Sequence, residues 1–122
     1  MENLKQRAID MAQTIWKTLF WKLDIFEVMS WGITRRQAVV YNKMLGLELQ
    51  VNGMIHKGSV IICYDEGWDE FVVYLLDKKK NVVKTFEHVG AEELGGIIDE
   101  NIEKPKGMKD STYRSRTITE IL

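Results

Sequence analysis

From Leu47 to His88 the chain reads as strands: residues 47–52 alternate apolar and polar, residues 60–64 form the most apolar run, and three turn signals divide the stretch. Strand side chains point to opposite faces in turn, so this pattern predicts half-buried sheet. Leu47-Glu48-Leu49-Gln50-Val51 is the first strand. Asn52-Gly53 tolerates positive φ at both positions and predicts a two-residue hairpin turn, which would set Glu48 opposite Lys57. Residues 54–65 return, with Gly58 marking a bend or bulge. Glu66-Gly67 turns the chain again into residues 68–77. A two-residue turn there places Val60 against Val73 and Ile62 against Phe71 on one dry face. Ile61, Cys63, Asp65, Trp68, Glu70 and Val72 share the wetter face, as in an antiparallel sheet. The length of the third turn, Lys78 to Asn81, is ambiguous. It leaves open whether Val83 or Phe86 points inward, because a one-residue slip exchanges them. Residues 82–88 close the sheet.

The flanks read as helices. Leu4, Ala8, Met11, Ala12, Ile15, Trp16 and Leu19 fall on one arc at helical spacing, behind an Asn3 cap with Gln6 in a capping-box position. Trp21 falls off that arc, so the helix stops near Phe20 or leaves Trp21 exposed. Residues 23–30 favour a short helix. Thr34 with Gln37 three positions on, and Ile33 as a staple, predicts a further helix to about Leu45, ended by Gly46. After the sheet, Gly90 leads into a helix over 91–104 with Leu94, Ile97, Ile98 and Ile102 inward. Gly95-Gly96 weakens this helix and permits close packing, and Pro105 ends it. The expected fold class is α+β: N-terminal helices packed on a four-stranded antiparallel β-meander, followed by a C-terminal helix. Residues 1–104 are expected to form one domain and residues 105–122 a flexible basic tail.

Composition narrows the class. The chain has 122 residues, one Cys and ordinary apolar and charged fractions. No internal disulfide is possible, and no apolar run approaches the roughly 20 residues of a membrane span. The N-terminus lacks an apolar secretory core, so a cytoplasmic protein without membrane association is expected. Charge is segregated. Residues 1–46 carry seven Lys/Arg and four Asp/Glu, residues 47–103 five and twelve, and residues 104–122 five and two. An acidic sheet module between basic ends presents two different surfaces to partners.

Candidate chemistry is sparse. Residues 24–45 have the outline of a helix-turn-helix, in which Arg35, Arg36 and Gln37 would open the recognition helix and Lys43 would touch phosphate. The run from Asp65 to Glu70 gathers four carboxylates, yet its spacing is not that of a calcium loop, and a solvated turn explains it. Cys63, His56 and His88 have no motif partners, and Cys63 lies between apolar neighbours as an inert thiol would. No P-loop, dinucleotide fingerprint or nucleophile elbow is present, so neither a cofactor nor catalysis is expected. Aromatics are in surplus, and Trp is enriched at interface hot spots, which makes Trp21, Trp31 and Trp68 candidate partner-binding residues. The function expected is a small non-catalytic protein-interaction or accessory, regulatory domain. Its protein partner and oligomeric state stay open. The alternative is DNA binding through residues 24–45 and the basic tail.

Overall fold

The computed structural model describes residues 3–103. The elements run α1 (Leu4–Leu19), α2 (Ile25–Met29), β1 (Arg35–Tyr41), β2 (Met44–Asn52), β3 (Lys57–Asp65), β4 (Glu70–Leu76), β5 (Val82–Val89) and α3 (Ala91–Ile102). Each strand pairs antiparallel with the next, giving a five-stranded sheet in the order β1-β2-β3-β4-β5. The protein is α+β, with one strand more than the hydrophobic pattern predicts.

The extra strand replaces the helix expected over residues 34–45. Val39, Val40 and Tyr41 fit a pleated surface better than a helix, and Asn42 and Lys43 both take positive φ, 49° and 65°. That pair makes a two-residue turn closed by Tyr41 opposite Met44. The Thr34 cap is unused, and its N–H donates instead to Gln50 O at 3.0 Å. Gly46, expected as a helix stop, lies in β2, where a Cβ would come within 2.6 Å of Ile62 O.

α1 follows its arc, with Ala8, Ala12, Ile15 and Leu19 buried. Asn3 Oδ1 accepts from Gln6 N at 2.7 Å, while the Gln6 side chain reaches Asp10. α2 starts on a full capping box between Asp24 and Glu27. In α3, Gly95 packs on α1 rather than on the sheet, and a Cβ there would meet Leu19 O at 3.1 Å.

The next two hairpins have longer loops than their turn signals imply. Asn52 pairs with Lys57, so Glu48 lies opposite Ile61 rather than Lys57. Residues 53–56 instead receive the end of α3. Ile55 N and His56 N donate to Ile102 O at 2.8 and 3.1 Å, and Met54 N donates to Glu103 Oε2 at 2.6 Å. The β3–β4 loop also has four residues, which sets Ile62 opposite Val73 and Val60 opposite Leu75. A two-residue shift preserves the faces, so Val60, Ile62, Phe71 and Val73 remain on the dry side. Phe86 packs against that core, whereas Val83 is exposed.

α1 and α3 cover this face. Ile15 and Leu19 from α1 and Leu94, Ile98 and Ile102 from α3 join the strand residues in one buried cluster. Each fully buried aliphatic side chain contributes about 1.5–3 kcal/mol. Trp31, from the α2–β1 connector, is 0% exposed within it. Its Nε1 donates to Asp99 Oδ1 at 2.9 Å, and its carbonyl accepts from Asn52 N at 2.9 Å. The opposite face is mixed. Ile61, Cys63 and Leu76 are buried beneath Val39, Tyr41, Met44 and Tyr74. Beside them Glu48 accepts from Gln37 and from Lys80, whose Nζ also donates to Ser59 Oγ at 2.7 Å.

No helix among the described residues is long and apolar enough to cross a membrane. α3 ends at Ile102, with Glu103 as its cap, short of the expected end at residue 104; the Pro105 stop and the basic tail lie outside the described residues.

Two variants test these assignments by urea unfolding. Trp31→Phe keeps an aromatic side chain but leaves a small cavity and takes a donor from buried Asp99, and should lower stability by about 1–3 kcal/mol. Lys43→Gly relieves a left-handed backbone and should raise stability by up to about 1 kcal/mol. A destabilised Lys43→Gly protein would contradict the Asn42-Lys43 turn.

Candidate interaction surface

α1 lies over β2 and β1, and β1 is the last strand on that side of the sheet. The helix is too narrow to cover β1 fully, so a groove of about 530 Å³ remains along the seam. Ile9, Ala12 and Trp16 from α1 form one wall, and Ala38 and Arg36 from β1 form the other. A second recess of about 540 Å³ continues it toward α2, lined by Ile25, Met29, Ile33 and Thr34. Trp16 and Arg36 belong to both. The Arg36 guanidinium stacks 4.4 Å from the Trp16 ring centroid, and Phe20 meets the same ring edge-on at 5.3 Å.

Short α2 buries Val28 alone, which leaves Ile25, Phe26 and Met29 exposed beside the recess. Adjoining apolar side chains left in water mark an interaction site more often than scattered ones do. The ionisable residues lining the two recesses are all cationic: Lys17, Arg35 and Arg36.

The three tryptophans proposed from sequence do not form one surface. Trp31 is buried, so it cannot touch a partner; its indole is held inside by apolar packing and by Asp99. Trp21 is 63% exposed and Trp68 66% exposed. They sit near opposite ends of α1. Glu66, in the loop of Trp68, pairs with Arg7 at 3.7 Å, and Arg7 is roughly 18 Å along the helix from Leu19. Trp21 adjoins the α1–α2 corner. Trp68 stands edge-on to His88 at 5.2 Å, in a separate recess of about 270 Å³ with Asp65, Glu70 and Glu87.

The residues proposed to read DNA are likewise divided. On a helix Arg35, Arg36 and Gln37 would share the exposed first turn; on β1 alternate residues face opposite sides. Arg36 joins the α1 groove, while Arg35, which borders the second recess, turns its guanidinium to the other face, where Nη2 donates to Gln37 Oε1 at 3.0 Å. Lys43 occupies the hairpin tip. Residues 24–45 therefore contain no recognition helix, because the β-forming run overrides the capping signal.

The remaining chemical candidates engage local partners: His56 contacts Ser59 O and His88 contacts Glu70. Asp65 Oδ1 accepts from Gly67 N at 3.0 Å, which makes the acidic run a side-chain-closed turn. Among the described residues no group of three or more His, Cys, Asp or Glu could hold a metal ion. Burial pushes the Cys63 thiol up to about 12, which keeps it protonated. Tyr64 is also raised, first by donating its hydroxyl hydrogen to Asp69. Asp77 is lowered chiefly by its bond from Asn81 N, with the Lys79 N–H helping to hold the β4–β5 turn.

Sequence reasoning missed Trp16, Ile25, Met29 and Ala38 as surface. Trp16 lies at the margin of the α1 arc, next to Lys17, and belongs to the aromatic stretch of residues 16–31; these were its two signals. Compared with known protein families, curated proteins and solved structures, the chain matches none.

Cys63 offers a direct check of the second face. Native protein at pH 8 should react with a thiol-exchange reagent at least about a hundredfold more slowly than denatured protein. Equal rates would show that the sheet opens or that Cys63 reaches solvent.

Proposed function

We propose that the chain is a small non-catalytic protein-interaction domain, an accessory or regulatory module whose contact surface is the groove along α1, α2 and β1. The observation that carries this reading is the continuity of the groove: two recesses share Trp16 and Arg36 and open beside exposed Ile25 and Met29. An apolar floor with a cationic rim suits a macromolecular partner, since aromatic and Arg side chains dominate binding hot spots. A lone buried thiol, with no disulfide to maintain, supports a cytoplasmic setting.

The test uses the full chain as bait in native extract, followed by direct binding with each purified candidate. Trp16→Ala combined with Met29→Ala should weaken a groove partner at least about tenfold. Trp68→Ala, remote from the groove, should leave affinity unchanged. Thermal unfolding of each variant checks its fold. A partner that binds the double variant as tightly as wild type removes the groove from the reading. Absence of any directly binding partner removes the interaction module itself.

A further inference from the structure

The sheet has two outer strands, and they differ. β5 is irregular, with register shifts between Phe71 and Val73 and between Leu75 and Leu76, and His88 takes a φ of 57°. Bulges of this kind spoil a strand edge as a template for pairing. β1 pairs with β2 in unbroken register from Arg35 to Tyr41. Its other side has no strand partner among the described residues.

Hydrogen-bonded pairs alternate along an antiparallel ladder. Counting back from the two-residue turn, Tyr41, Val39, Gln37 and Arg35 direct their backbone groups to β2. The N–H and C=O of Arg36, Ala38 and Val40 therefore point away from the sheet. Arg36 and Ala38, with Gln37 between them, also line the groove together with α1. An added strand would thus find outward amides and a side-chain groove in the same place. Strand addition combines these two elements: backbone bonds give affinity and the groove reads alternate side chains.

We propose that β1 receives an extended acidic peptide segment of a partner protein as a sixth strand, with alternate apolar side chains beside Trp16 and Ala12. The proposal rests on the interaction-domain reading and supplies its partner chemistry. Charge selects the occupant. Lys17, Arg35 and Arg36 border the groove, and no carboxylate lines either recess. Residues 104–122 of the chain itself carry five Lys/Arg and two Asp/Glu, the wrong sign for this rim. On the groove face an Asp or Glu flanking the apolar positions would meet Arg36 and Lys17, and on the opposite face the alternating acidic residues would meet Arg35.

The test is selection of random peptides displayed on phage against the full chain. Enriched peptides are then synthesised and bound to isotopically labelled protein. The expected peptides alternate apolar residues with Asp or Glu and slow amide exchange at Arg36 and Ala38. Their affinity should fall about tenfold between roughly 50 and 500 mM salt. Ala38→Pro removes one outward N–H at an edge position where Pro is tolerated, and should weaken binding at least about tenfold. Arg36→Glu keeps the amide and reverses the charge; it should weaken acidic peptides similarly and serves if Ala38→Pro does not fold. Basic or helical peptides, or peptides that leave the Arg36 and Ala38 amides unprotected, overturn the strand-addition proposal but leave an interaction domain standing. No enrichment overturns the peptide proposal, while the extract experiment decides the broader reading separately. A dimer that Ala38→Pro dissolves and acidic peptides do not would assign the edge to a second copy and overturn it as well.

Discussion

The greasy side of the meander cannot be hidden by either long helix alone. α1 comes from one end of the described chain and α3 from the other, and both must lie on that side. Their approach is set at Gly95, whose missing Cβ lets α3 reach the carbonyl of Leu19. At its far end α3 is received by the β2–β3 loop, where Ile102 O takes two backbone N–H groups. Helix ends expose carbonyls that need donors, and here another part of the chain supplies them. The sheet therefore holds α3 both by its face and by one of its loops.

Trp31 connects this core to the surface. It anchors the α2–β1 connector to β2 through Asn52 and to α3 through Asp99. Between these bonds the start of β1 has little freedom, and α2 is left beside Trp16 with most of its apolar residues outward. A polar pair buried this deeply adds only modest net stability, but breaking one half is costly, so it favours a unique arrangement. The groove thus follows from how the core is closed. An aromatic residue in the interior fixes where a different one, Trp16, meets solvent.

The two sheet faces have different electrostatic neighbours. On the helix side near β1 the ionisable rim is cationic, with Arg36 lying on an aromatic ring. Around the β3–β4 loop, Asp65, Glu70 and Glu87 gather near Trp68 and His88. These regions lie toward opposite ends of α1, so the segregation visible in the linear charge pattern survives as separated surfaces. It is this separation, rather than the net charge, that leaves the β1 groove with a cationic rim.

The period-two pattern and the α1 and α3 arcs determined most of the architecture by themselves. Faces depend on parity alone, so Val60, Ile62, Phe71 and Val73 keep their side although the β3–β4 turn is two residues longer than expected. Cys63 is likewise legible as an inert thiol, because its neighbours are apolar and the sheet buries it. Other features were decided by contacts distant in sequence. The β2–β3 loop opened because α3 needed donors there, which Asn52-Gly53 could not announce. Thr34 and Gln37 carry the letters of a helix cap, yet pairing with β2 made residues 35–41 a strand and split Arg35 from Arg36. Trp16, Trp21, Trp31 and Trp68 are chemically equivalent along the chain; only packing put one inside, one at a groove margin and two in water. Local sequence encodes period and propensity, whereas exposure depends on which distant element arrives to cover a side chain.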